Sequence, residues 1–328
     1  MSDVEPAKHW QRQPLPWQAT VLDQFGARLA ENKLPHALLV SGAAGLGKGL
    51  FAESLAALIL CADPVNFRAC GVCDSCGVAQ GGGHGDYRWL APPPDKRIIP
   101  IDDVRAMLGF VQKTSGYGSR KVVVIAPAEA MNKNSAAALL KTLEEPAGNS
   151  VLVLVSHRPS DLPATVRSRC QRVMVPAPTP SEAAAWLTNT LSSKGLDTRQ
   201  QPINHALEVT NHRPLAALEL IVNGTLDGVR ERTLLIQRLM AGEISAIEAS
   251  ASLASESPED LLTAIYQVVS GRLTHASAED LSRFGPNMFV ASDTLVKMLS
   301  AVRAGVNPAK DILFGEACGK VAGIWPSS

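Results

Sequence analysis

Three groups of residues have the types and spacing for chemistry. The first is the stretch "SGAAGLGKGL" (41–50), in which Gly42, Gly47 and Lys48 fall on a G-x-x-x-x-G-K pattern. Glycines there let successive backbone N–H groups face a phosphate, the following helix adds its positive end, and the lysine adds a full charge. Such loops continue with Ser or Thr, whose hydroxyl ligates the Mg²⁺ that bridges the β- and γ-phosphates. This chain has Gly49. Hydrolysis also needs an acidic pair at the end of a neighbouring strand, and "KVVVI" (121–125) is followed by Ala126 and Pro127, with Glu129 the nearest acid. Both metal-side elements are missing. ATP is therefore not expected, or is bound through Gly42, Gly47 and Lys48 without being hydrolysed; the simplest reading is a retained Gly-rich turn.

The second group is Cys61, Cys70, Cys73 and Cys76, spaced C-x₈-C-x₂-C-x₂-C. Four thiolates this close suit a tetrahedral, structural Zn²⁺ with no open position for catalysis. An iron–sulfur cluster and plain free thiols are the other chemistries open to them, but Gly77 and Val78 break the C-x₃-C-P continuation of the common iron–sulfur run. Cys170 and Cys318 stand alone and read as small core residues. The third group is the arginine pair of "TVRSRCQ" (165–171). Arg167 and Arg169 read either as ordinary surface charges or, because they follow a strand, as arginines that can reach from one subunit to a neighbour's phosphates and stabilise the transferring phosphoryl group.

These groups need a scaffold. The apolar runs "HALLVSG" (36–42), "KVVVIA" (121–126), "SVLVLVS" (150–156) and "QRVMVP" (171–176) read as strands. Between them lie helical segments: 49–61 with Phe51, Leu55, Leu58 and Ile59 in register, 99–113 with Val104, Met107, Leu108 and Val111, and 134–145, stopped by Pro146. Their apolar residues recur at the helical period. Asp102 is placed to cap the second. Near-continuous Val/Leu/Ile strands alternating with helices predict a parallel sheet covered on both faces. Ligands in such sheets sit at the strands' carboxyl ends, where the Gly42–Lys48 loop falls. The proline-rich "VPAPTPSE" (175–182) marks a linker. Beyond it only helices are expected, over 181–195, 203–222 and about 226–324, with breaks near Gly242, Pro258, Pro286 and Pro308.

With 328 residues, two or three domains are expected. Lys plus Arg and Asp plus Glu are both 31, which argues against a chain that coats nucleic acid, because that affinity comes from excess basic charge. A zinc-knuckle nucleic-acid binder is accordingly a poor reading, with only Arg68 beside the knuckle. The acidic start "MSDVEPAKHW" has no apolar run behind it of the kind a leader needs. No apolar run approaches the length of roughly 20 residues that spans a bilayer. A cytoplasmic protein is expected.

Taken together, "LPHALLVSGAAGLGKG", the cysteine insert, "NSAAALLKTLEEP" and "RSRC" resemble the bacterial clamp loader subunits of the AAA+ class, closely over residues 1–176 and more loosely beyond. The resemblance implies an α/β, RecA-like AAA+ domain (1–176) with a zinc module (61–76), an all-helical lid (177–223) and a helical collar (224–328). It implies a hetero-pentamer with delta-type and gamma/tau-type subunits that places a sliding clamp on primed DNA. It thereby implies a part of a DNA-directed DNA polymerase (nucleotidyltransferase) holoenzyme active in DNA replication. Motor subunits of that family have Ser or Thr after the loop lysine and Asp-Glu after the second strand. Gly49, Ala126 and Pro127 instead match the non-motor relative, which does not turn over ATP. By the same resemblance Arg169 is the finger offered in trans to the next subunit's ATP, and a further arginine of the lid falls near Asn211–Leu215, where this chain has Arg213. The competing expectation is a motor subunit that uses Glu129 as a displaced acid.

Overall fold

The computed structural model describes residues 13–325 apart from 95, 119, 147, 197 and 304. The N-terminal stretch read above for its lack of an apolar leader lies outside these residues, except for its continuation from Gln13. The chain forms two compact units, Met1–Glu219 and Leu220–Ser328.

The first unit is built on five parallel strands, β1 (Ala37–Ser41), β2 (Tyr87–Leu90), β3 (Lys121–Ile125), β4 (Ser150–Ser156) and β5 (Gln171–Met174), in the order β2-β3-β4-β1-β5. Alternation along each strand makes two cores. Leu38, Val40, Val122, Val124, Val153 and Val173 face one side; Leu39, Val123, Ile125, Leu152 and Leu154 face the other. Helices α1 (Ala19–Ala30) and α2 (Lys48–Leu60) cover the first face, and α4 (Ile101–Val111) and α5 (Lys133–Glu144) the second. A side chain on either face thus meets a helix, which is why these strands read as unbroken apolar runs. Helix α2 is buried on every face rather than along one stripe.

The short helix α3 (Asp74–Gln80) belongs to the cysteine module, and α6 (Ala164–Arg167) precedes β5. Three helices then follow: α7 (Pro180–Ser193), started by a capping box between Thr179 and Glu182, α8 (Gln200–Val209) and α9 (Pro214–Val222). The second unit comprises α10 (Leu226–Ala241), α11 (Ala246–Ser252), α12 (Pro258–His275), α13 (Ala278–Arg303) and α14 (Lys310–Val321). Ile236, Leu262, Ile265, Leu295 and Phe314 are at the centre of its core.

Two local expectations are corrected. Asp102 does not cap its helix: Pro100 holds the cap position, and Asp102 lies in the first turn, where its charge faces the helix's positive end. Pro286 does not break the chain but sits inside α13. A mid-helix proline costs about 3 kcal/mol. On either side of it Gly285, Met288, Ala291 and Leu295 are buried on one face, and that packing keeps the helix continuous.

Candidate functional site: a phosphate-type loop, a cysteine cluster and a surface arginine

The loop between β1 and α2 has left-handed backbone at Gly45 (φ 84°) and Gly47 (φ 79°). Glycine supplies that conformation without steric cost, as a phosphate loop requires. The loop's carbonyls are taken up by the chain itself. Lys48 Nζ donates to Ala43 O at 2.7 Å, Arg213 Nη1 to Ala44 O at 3.4 Å, and the Leu215 N–H to Gly45 O at 3.2 Å. Trp17 Nε1 and Gln18 Nε2 both donate to Leu46 O at 3.0 Å, and Gln18 Nε2 also reaches Gly47 O at 2.8 Å. Lys48 and Gln18 are fully buried. The two cations at the loop, Lys48 and Arg213, are therefore both bonded to loop carbonyls.

The position of Arg213 has a local cause. Asn211 (φ 51°) and His212 (φ 54°) make a left-handed turn after α8, which throws Arg213 and the start of α9 against the loop. The approach leaves no room for a side chain at Gly45. A Cβ there would lie 2.9 Å from Ala216 Cβ and 3.2 Å from Ala216 N.

At the end of β3, Ala126 is fully buried and Pro127 follows, so no side-chain oxygen stands there. Glu129 Oε1 accepts the His157 N–H at 3.0 Å, which ties that carboxylate to the end of β4.

The four cysteines converge. Cys61 ends α2, Cys73 caps α3, Cys76 lies within α3, and Cys70 stands on the knuckle between them. All four sulfurs lie within 4.8 Å of one another, with Cys61 and Cys73 at 3.9 Å. A tetrahedron with metal–sulfur bonds of about 2.3 Å has edges of about 3.8 Å, so the set can hold one zinc-sized ion. Gly71 (φ 80°) turns the knuckle so that the N–H groups of Val72 and Cys73 point at Cys70 Sγ, 3.5 and 3.4 Å away, while the Cys70 N–H points at Cys61 Sγ at 3.2 Å. Such donors stabilise thiolates. Burial works against ionisation of Cys73, but N–H groups of Cys76 and Ala62 more than offset it and bring this thiol down to about 6. Burial pushes Cys61 and Cys76 up.

The module is anchored at three points. Ser75 Oγ donates to Leu60 O at 2.6 Å and meets His84 Nε2 at 2.9 Å. Arg68 pairs with Asp23 of α1 at 2.5 Å. Phe67 packs over Gly26 so closely that a Cβ on that glycine would collide with the ring and with Phe67 Cβ. Cys170 and Cys318 are buried singly, and burial pushes both thiols up to about 11.

Arg169 stands apart from the loop, in the turn between α6 and β5. Its guanidinium contacts Thr165 O at 2.9 Å and Glu144 of α5 at 2.5 Å, and its side chain is one-third exposed. Arg167 has a buried Nε with no partner among the described residues. The sequence does not single out Trp17, Gln18 or Glu144. Only Glu144 has a visible signal there, its place in "KTLEEP".

Comparison with known proteins gives a consistent result. The sequence profile of the family described as DNA polymerase III, delta subunit, matches residues 17–179. The DNA polymerase III subunit delta' of Pseudomonas aeruginosa is 38% identical over 231 residues, covering 70% of this chain and 68% of that protein. Its Escherichia coli counterpart is 32% identical over 205 residues, covering 62% and 60%. The Escherichia coli subunit tau is 29% identical over 260 residues, 77% of this chain but 37% of that protein. In fold, the chain is similar to the Thermotoga maritima RuvB Holliday junction branch migration motor, with a TM-score of 0.51, 13% identity, and coverage of 84% and 95%. Among the described residues no helix is long and apolar enough to cross a membrane.

Proposed function

Because this chain belongs to the delta' family of DNA polymerase III clamp loader subunits, we propose that it is a stator: a subunit that completes a neighbour's ATP site and turns over no ATP itself. The observation that carries this reading is the lack of oxygen ligands at Gly49 and at Ala126–Pro127, beside an exposed Arg169. Without those ligands Mg²⁺ has no seat between the β- and γ-phosphates. The Lys48–Ala43 bond, which engages the loop's own cation, supports a loop retained as structure.

In this reading Arg169 stabilises the charge that develops on the γ-phosphate of the adjacent gamma/tau-type subunit, a role worth roughly 10³–10⁵ in rate where it operates fully. The cysteine cluster holds structural zinc. The partners are delta and gamma/tau in a hetero-pentamer, with the sliding clamp and primed DNA engaged through the complex in the cytoplasm. The domain plan is an AAA+ domain (1–176), a lid (177–223) and a collar (224–328) that joins the partner subunits.

The test is Arg169→Ala in a loader reconstituted from all its subunits. Turnover should fall by about tenfold or more while the chain still assembles and keeps its zinc. Unchanged turnover removes the finger role. A motor role through Glu129 is the second reading. Glu129 Oε1 accepts the His157 N–H, while Oε2 is buried with no partner among the described residues; this reading predicts Mg²⁺-dependent phosphate release by the chain alone that Lys48→Ala abolishes.

A further inference from the structure

The partners of Arg169 say how a finger would be aimed. Glu144 is the last residue of α5, and Arg169 follows α6, so the two reach each other across separate elements. Glu144 Oε1 lies 2.5 Å from Arg169 Nη2, and Nη1 of the same group donates to Thr165 O at 2.9 Å. A guanidinium carries five N–H donors in one rigid plane. Two anchors on two different nitrogens fix the orientation of that plane and leave further N–H groups for an acceptor outside the chain. The carboxylate is half exposed and the arginine one-third exposed, so the pair faces solvent rather than the core. An ion pair so open adds little to stability. Its effect is on where the guanidinium stands.

We propose that Glu144 is a positioning residue for Arg169, holding its guanidinium in the place from which it meets a neighbouring subunit's triphosphate. The inference rests on the finger reading above and assigns Glu144 no contact with ATP. An unheld arginine must lose its rotamer freedom when the site assembles; one held by Glu144 and Thr165 has already lost it.

The experiment is a double-mutant cycle on ATP turnover of the reconstituted loader, with Glu144→Ala, Glu144→Gln, Arg169→Ala and the double variant. Glu144→Ala should lower kcat about three- to fivefold, the scale of one partly exposed ion pair, and should lower kcat/KM equally. Glu144→Gln, which keeps an acceptor oxygen at the same reach, should recover part of the loss. In the Arg169→Ala background, Glu144→Ala should cost nothing more. The same loss in both backgrounds overturns the positioning role and leaves Glu144 as a fold-stabilising residue. A silent Glu144→Ala beside a crippled Arg169→Ala overturns it too. Full turnover by Arg169→Ala overturns the finger reading and this inference together.

Discussion

Substituting Gly45 with alanine tests whether helix α9 closes over the loop. Two penalties are expected. The backbone of Gly45 is left-handed, with φ 84°. An L-residue in that conformation costs about 1–2 kcal/mol. The new methyl would also meet Ala216 Cβ at 2.9 Å, Ala216 N at 3.2 Å and Arg213 Cβ at 3.2 Å. Two of those atoms are Cβ atoms fixed by their backbone and the third is backbone itself, so relief requires α9 to move; such overpacking costs about 1–3 kcal/mol. Gly195 is the control: its φ is 68° and an added Cβ meets nothing within 4 Å, so alanine there incurs the backbone penalty alone. For a unit of this size each kcal/mol lowers the melting temperature by about 2–4 °C. Gly45→Ala should therefore melt roughly 2–12 °C below Gly195→Ala in thermal unfolding followed by circular dichroism. Equal melting of the two variants would refute the close approach of α9 to the loop.

Three further perturbations have definite expected outcomes. The purified chain should carry one zinc per molecule and be colourless; a chelator or Cys73→Ser should release the metal and lower the melting temperature, as metal analysis and calorimetry would report. Asp86 and Lys121 form a buried ion pair at 3.5 Å, and Asp86 also accepts the Gly116 and Tyr117 N–H groups. Asp86→Ala strands the Lys121 charge and should cost about 3–5 kcal/mol in denaturant unfolding. His84 is buried, accepts the Asp86 N–H on Nδ1 at 3.0 Å and meets Ser75 Oγ through Nε2, and burial lowers its pKa below the usual 6.5. The unfolded chain then takes up a proton that the folded chain refuses, so stability is full above about pH 6.5 and falls as the pH drops below it. His84→Gln should flatten that slope in unfolding curves compared between about pH 7.5 and about pH 5.5.

Much of this architecture is legible in the sequence, for a physical reason. Strands β1, β3 and β4 are covered on both faces, so burial demands Val, Leu and Ile at nearly every position, and the runs stand out. The edge strand β2, "YRWL", has a neighbour on one side only and is partly exposed, so it leaves no such run. The cysteine cluster is legible because its ligands lie close in sequence and the metal's geometry restricts their spacing. The contact of Arg213 with the loop is not, because it depends on left-handed backbone at Asn211 and His212, which residue types alone do not dictate. The same holds for the bonds from Trp17 and Gln18 to Leu46, which span 29 and 28 residues and arise only when the fold brings the turn before α1 beside the loop. Pro286 shows the opposite failure: a strong local signal is overridden by the packing of α13.

The most direct test of the stator reading is phosphate release by the purified chain alone, with ATP and Mg²⁺, beside Lys48→Ala. A flat baseline for both proteins is predicted, since no side-chain oxygen at position 49 or at 126–127 can seat the cation. Steady Mg²⁺-dependent release that disappears in Lys48→Ala would make this subunit a motor and contradict the account.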